Sequence, residues 1–503
     1  MLFEQLALTS VQIADTKARK KKVELLAKLL REVPPEERAI AARYLSGELG
    51  HKTGLGYSTV GELRSAPVAT TATLTLAELD RRFAAIAGMT GTGSGTARKD
   101  ALGAMFALTT EVERSILAAI IVGGLRQGAL DALVVDAIAL AVAIPNRGVR
   151  AAYMLAGDIG AVAHAVLEDP TAVARFGLTL FRPVLPMLAQ TAETAEAALA
   201  SLDGPAALEL KLDGFRVQLH KDGDVVRAYS RALNDVTASI PNIVAIVQAL
   251  PARRLVLDGE AIAYGPNGRP LPFQDTMRLK SVSASGGLQL SIFDILLADD
   301  QTLLAEPARA RFATLAALAP ALAVPRVVTN DVAEATAFYD RAVAAGHEGV
   351  MAKALEAPYA AGNRGAAWLK IKKVRHLDLV VLAVEWGSGR RQGWLSNIHL
   401  GARSADGFVM LGKTFKGMTD VMLEWQTAAF LAREVDRDGH IVFVRPEIVV
   451  EVAFNDVQRS SQYPGKLALR HARVVRYRED KTAAEADTID SVRAIAIADG
   501  VIS

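Results

Sequence analysis

The sequence contains no cysteine among its 503 residues. That excludes disulfides and thiolate zinc clusters and is compatible with a reducing cytoplasm. A long apolar run is also missing. The most apolar region, 115–145, is interrupted by Arg126, Asp131 and Asp136, so it reads as buried helices and not as a bilayer span. The opening "MLFEQLALTS" is too polar, and too quickly followed by acids and bases, for a secretory signal. Net charge is low as well: +2. Affinity for nucleic acid would therefore have to come from local basic faces. One such face is "KARKKK" at 17–22, which by itself is also the pattern of a solvated helix surface. No internal repeat and no long disordered tract is visible. The length suits roughly two to four domains, and a soluble, cytoplasmic protein is expected.

What is present falls into three textures. Residues 1–203 are helical in pattern: "SVQIADTKARKKKVELLAKLLREV" carries apolar residues at helical spacing, with Ser10 as an N-cap and the two prolines at 34–35 as a stop. A glycine-rich loop, "TGTGSGTARKD" (90–100), leads into a further helix; it could present amides to a phosphate or serve as a linker. From 204 to 376 short strands and helices mix into an α+β domain, with "KDGD" as a hairpin turn. Residues 377–503 read as a run of short strands, the pattern of a small closed β-barrel such as an OB-fold.

One motif is a decoy. "GFVMLGKT" (407–414) satisfies the phosphate-loop pattern letter for letter. That chemistry needs a flexible loop opening into a helix, whereas Phe408, Val409, Met410 and Leu411 spell a strand.

The chemistry lies in the middle region. "ELKLDGFR" (209–216) holds Lys211, "LDGE" (257–260) ends a strand with two acids, and "HEGVMAK" (347–353) places Glu348 before a glycine. In "WLKIKK" (368–373), Lys370 and Lys372 share one strand face. Each fragment alone is an ordinary strand end. In order and spacing, with "IFDIL" and the late "LRHARVVRYREDK", the set resembles the covalent nucleotidyltransferases, most closely the ATP-dependent DNA ligases of the archaeal and actinobacterial type and bacterial ligase B. "YLSGELGHKTGLG", "GGLRQGAL" and "RPVLPMLAQTA" resemble the helical DNA-binding domain of the same enzymes. The resemblance implies three domains: an all-α DNA-binding domain (1–203), an ATP-grasp-like α+β nucleotidyltransferase domain (204–376) and an OB-fold barrel (377–503).

It also implies roles. Lys211 would take AMP from ATP, pass it to a DNA 5′-phosphate, and a 3′-hydroxyl would then displace it. An exposed lysine titrates near ~10.4, so positive charge from Lys370, Lys372 and a divalent metal, magnesium or manganese, would favour the neutral amine. Glu209 would read the adenine amino group through its main chain or side chain, Phe293 would stack on the ring, and Met351 would pack on the other face. Glu260 and Glu348 are the metal or ribose candidates. Arg216 and Arg231 would hold the ribose and the nick phosphate, and Asp213 would shape the turn behind Lys211. In the C-terminal stretch, Arg470, Arg473, Arg478, Asp480 and Lys481 align with residues that orient pyrophosphate. His471 and Ala472 stand where relatives commonly have Phe-Pro, which bears on the local backbone path.

The implied partner is nicked double-stranded DNA, gripped through phosphates and sugars by a monomer near the nucleoid. "WGSGRRQGWLSN" and "LGKTFKG" in the barrel are further DNA-facing segments, and the barrel would rotate about a hinge near Leu377–Asp378. No clamp-binding motif of the Q-x-x-hydrophobic type is evident in the N-terminal region. Three rivals are weaker. An NAD-dependent ligase carries a cysteine-ligated zinc finger. An RNA ligase or capping guanylyltransferase lacks a 200-residue helical domain before the nucleophile. A DNA-binding remnant without catalysis would not need the full charged set.

Overall fold

The fold is taken from a computed structural model, which describes residues 1–63, 67–125, 130–282, 287–360, 362 and 365–502, without side chains at 280–282 and 390. Residues 126–129 of "GGLRQGAL", including Arg126, therefore lie outside the described residues. The chain divides into two compact units, Met1–Met187 and Leu188–Ala360 with Arg364–Ser503.

The first unit is built of helices around one apolar core that includes Phe3, Leu30, Phe83, Phe106 and Ile138. The single helix expected from residue 10 onward is two helices, Phe3–Asp15 and Arg19–Glu32. Ser10 is not a cap. It is buried on the inner face of the first helix with Phe3, Leu6 and Ile13, where a small side chain fits the packing. The chain breaks at the extended Thr16 and Ala18, with Thr16 Oγ1 accepting from the Ala18 amide at 3.3 Å. In the basic run, Arg19 pairs with Asp136 at 2.6 Å, while Lys17, Lys20 and Lys21 are exposed. The glycine-rich loop turns into helix Ser94–Phe106, and Arg98 folds back to donate to the Met89 carbonyl at 3.1 Å.

The second unit begins earlier than the expected boundary at 203/204. The alanine-rich helix Ala195–Leu202 continues the helical texture of the N-terminal sequence, yet it buries Ala198 and Leu199 against the β-sheet core that follows. Its strands, in chain order, are β1 Gln190–Ala192, β2 Ala206–Leu210, β3 Phe215–Asp222, β4 Val225–Ser230, β5 Arg254–Ala263, β6 Leu288–Ala298, β7 Gln301–Thr302, β8 Arg326–Thr329, β9 Gly349–Ala354 and β10 Trp368–Lys372. They form two five-stranded sheets, β1-β10-β9-β2-β8 and β4-β3-β5-β6-β7. Among the described strands of these two sheets, only the short β1 runs parallel to its neighbour. The "KDGD" turn joins β3 to β4.

The remaining strands are β11 Arg375–Trp386, β12 Leu395–Ser404, β13 Gly407–Thr414, β14 Glu434–Asp438, β15 Ile441–Val444, β16 Val449–Phe454, β17 Asp456–Arg459, β18 Leu467–Arg470 and β19 Arg473–Tyr477. Ladders link β13, β12, β11, β16 and β19 in that order. The Val474 amide closes the ring by donating to the Lys416 carbonyl at 2.9 Å, just beyond β13. Thr414 Oγ1 adds a bond to the Ala472 carbonyl at 2.7 Å. The result is OB-fold-like, around Leu379, Ile398, Leu411, Val452 and Phe454. The phosphate-loop look-alike is strand β13 throughout, and the next helix begins only at Asp420.

Candidate active site

Lys211 sits just past the end of β2, with its amide bonded to the Gly349 carbonyl at 2.9 Å. Gly349, at the start of β9, has φ +140°, and a Cβ there would lie 2.0 Å from the Ile371 carbonyl oxygen. Only glycine lets β9 and β10 approach so closely at this point. The approach is what brings Glu348 between Lys211 and Lys372. Its carboxylate is buried, with Oε2 accepting from Lys211 and Oε1 from Lys372. Burial alone would raise the Glu348 pKa, but the two ammonium groups more than reverse this and hold it at about 2. Lys370 is two residues before Lys372 on the same strand face and stands opposite Met351 of β9.

The glycine of the K-x-D-G turn has a similar reason. A Cβ on Gly214 would meet the Ala261 carbonyl oxygen at 2.5 Å, so the turn presses on β5 beside Glu260. Glu260 is pushed up to about 8 by burial, against the pull of Arg216 and Lys211, both close enough to act on it. Arg216, opposite Glu260 on β3, is clamped by Asp258, with Nε–Oδ1 at 3.1 Å and Nη2–Oδ2 at 2.7 Å. Tyr359 donates to the same Asp258 Oδ2 at 2.6 Å. The Arg216 guanidinium also lies 5.3 Å from the Phe293 ring centroid, and Phe293 meets Trp368 edge to face at 5.9 Å.

Glu209 is buried and bonded to Arg326 and Lys353. Its side chain is thus already engaged, which the sequence reading did not anticipate. Arg231 is exposed on the turn after β4. The C-terminal charged set divides in two. Arg470 reaches the K-x-D-G turn and binds Asp213, Nη1–Oδ2 at 2.6 Å, so Asp213 is an ion-pair partner as well as a turn residue. Arg478 and Lys481 instead hold Asp378 of β11, at 2.8 and 2.6 Å, and Arg478 binds Asp480 at 2.6 Å. Arg473 is exposed on β19. His471 adopts φ +58°, unusual for a non-glycine residue; here the backbone turns sharply between β18 and β19.

Sequence reading missed Tyr359, Arg326 and the role of Lys353. Lys353 stands inside the quoted "HEGVMAK", but nothing in its spacing marks it as buried. Arg326 and Tyr359 carry no motif. Among the described residues, no three carboxylate or histidine side chains form a ready-made metal cage. Two carboxylates, Glu260 and Glu348, flank Lys211, and that donor set fits a hard cation that takes its remaining ligands from phosphate and water. Among the described residues, no helix is long and apolar enough to cross a membrane.

Comparison with known proteins agrees along the chain. The family model described as "ATP dependent DNA ligase domain" matches residues 186–372. "ATP dependent DNA ligase C terminal region" matches 391–481, and "DNA ligase N terminus" matches 57–139. The chain is 52% identical over 510 residues to a "Probable DNA ligase" of Anaeromyxobacter dehalogenans (strain 2CP-C), covering 98% of this chain and 99% of that one. It is 51% identical over 512 residues to a "Probable DNA ligase" of Beutenbergia cavernae, covering 99% and 100%. A solved structure described as "Pmar-Lig_PreS3" superposes with a TM-score of 0.64 at 17% identity, over 94% of this chain and 99% of that one; this is a likeness of fold.

Proposed function

This chain belongs to the ATP-dependent DNA ligase family, and from that premise we propose how its own residues divide the work. The enzyme joins DNA ends through a lysyl-AMP and a DNA-adenylate. Lys211 is the nucleophile. The observation that carries this assignment is the shared carboxylate: Lys211 and Lys372 face each other across Glu348, so a second positive charge stands where the lysine must lose its proton.

In the first step a bond forms between Lys211 Nζ and the α-phosphorus, and the bond from that phosphorus to the pyrophosphate oxygen breaks. Lys211 reacts as the free amine. Glu348, bonded to it here, turns away so that the nitrogen can reach the phosphorus. Lys370 and Lys372 then stabilise charge on the transferring phosphate. A magnesium or manganese ion held by Glu260 and Glu348 would supply further positive charge at the phosphates. Phe293, Met351 and Glu209 receive the adenine, and Arg216, fixed by Asp258, faces the ribose.

Arg470 meets the departing pyrophosphate after exchanging Asp213 for it, while Arg473, Arg478, Asp480 and Lys481 act after the barrel turns about Leu377–Asp378. Arg231 contacts the 5′-phosphate of the nick. The substrate is a nicked duplex held by a monomer, with Lys17, Lys20, Lys21, the 90–100 loop and the barrel loops on the backbone, in the cytoplasm at the nucleoid.

The test is covalent labelling. Wild type incubated with α-labelled ATP and magnesium should retain acid-labile label after denaturation and discharge it on nicked duplex. Lys211→Ala should retain none. Label that persists in Lys211→Ala overturns the assignment.

A further inference from the structure

Glu209 is 1% exposed, yet two cations converge on it. Arg326, its partner in register on β8, donates to Oε1 from Nε at 2.8 Å and also from Nη2. Lys353, itself 1% exposed, lies 2.6 Å from Oε2. The same Lys353 ammonium donates to the Phe293 carbonyl at 3.1 Å and stands 4.8 Å from that ring's centroid and 4.3 Å from Trp368. Arg326 packs over Phe312 at 3.5 Å. Glu209 belongs to one sheet and Phe293 to the other. Lys353 therefore fastens an acid on the first sheet to the backbone of an aromatic residue on the second.

Placing three charges, two of them fully buried, against an aromatic wall is a poor way to gain stability, because apolar side chains of similar volume would avoid the desolvation cost. What such a cluster does provide is geometry. An ionised carboxylate offers about four acceptor positions and no donor. Three donations leave roughly one position, able to take an amino hydrogen and unable to satisfy a keto oxygen.

We propose that Lys353 and Arg326 are positioning residues for base selection: they occupy three of the acceptor positions of Glu209 and hold it at a fixed spacing from Phe293, so that the ligase accepts a 6-aminopurine nucleotide and rejects a 6-oxopurine. The proposal rests on the reading that Glu209 and Phe293 receive the base. Burial lowers the Lys353 pKa against the opposing pull of Glu209 and Asp294. Asp294 is in turn held by Arg311, with both side chains inaccessible to solvent.

Rates of self-adenylylation as a function of ATP and of GTP concentration would test it, for wild type, Lys353→Met, Lys353→Arg and Arg326→Gln. Lys353→Met and Arg326→Gln should raise KM for ATP at least tenfold with a smaller change in kcat. The ATP-over-GTP ratio of kcat/KM should fall at least tenfold in both. Lys353→Arg should restore most of the ratio. A purely structural role would lower the active fraction and leave the ratio alone, so an unchanged ratio overturns the proposal. Arg326 keeps some solvent access, so Arg326→Gln keeps the test open if Lys353→Met does not fold. Labelling of wild type by ATP is a separate result: its absence would count against the ligase assignment, whereas labelled variants with an intact ratio count against this proposal alone.

Discussion

Lys211 and Lys372, held at the ends of two strands of one sheet, donate to opposite oxygens of the single buried carboxylate of Glu348. Neither lysine can move without changing the charge balance of the other. Glu348→Gln removes the carboxylate that orients both lysines and would help hold the metal, and should slow formation of the covalent adenylate by about 10²–10³-fold, the range for losing electrostatic support of the transferring phosphate. Single-turnover labelling with α-labelled ATP measures this. A rate within a few-fold of wild type would rule out a direct role for Glu348.

Gly349→Ala should be poorly tolerated. The new methyl would lie 2.0 Å from the Ile371 carbonyl oxygen at a φ of +140°, so β9 and β10 must separate. A loss of about 2–4 kcal/mol is expected, the scale of a strained backbone position combined with a clash. Thermal melting of the purified variant gives the answer, and an unchanged midpoint would mean that the two strands are not constrained there.

His220 sets an acid limit. It is fully buried on β3 beside Gln218, and burial lowers its pKa from 6.5 to about 4. Between these values the unfolded chain binds the proton and the folded chain does not. Stability is thus intact above pH 6.5 and falls as the pH drops towards 4. Over the whole window the loss is about 3 kcal/mol. Denaturant midpoints measured from pH 7 to 4.5 should show this slope in wild type and a shallower one in His220→Asn.

Asp378→Asn should loosen Lys481 and Arg478, which both now bind its Oδ2, leaving Arg478 only its pairing with Asp480. If those cations serve pyrophosphate, releasing them should lower KM for ATP in self-adenylylation by roughly two- to tenfold, the size of a partly screened ion pair. The KM is read from labelling rates across ATP concentrations; a raised KM would assign Asp378 a direct part in nucleotide binding.

The sequence by itself carried the motifs by which the chain resembles its family. The short motifs around Lys211, Glu260, Phe293, Glu348, Lys370 and Lys372 follow one another in order along the chain, and strand periodicity alone placed Lys370 and Lys372 on one face. It also exposed the phosphate-loop match as a strand, because four bulky apolar residues in a row cannot be a flexible loop. Helix limits were less legible: Ser10 has the chemistry of a cap, and only packing around Phe3 shows that it is inside. Partnerships across long separations were decided by tertiary structure alone. Nothing near position 470 says that Arg470 will meet Asp213, and nothing near 326 or 353 says that two cations will meet at Glu209. Local patterns record which residues share a face, through the periods of helix and strand. Which charges neutralise one another inside the protein depends on how sheets are stacked and how closely glycines such as Gly349 let strands approach, and that is settled only when the whole chain packs.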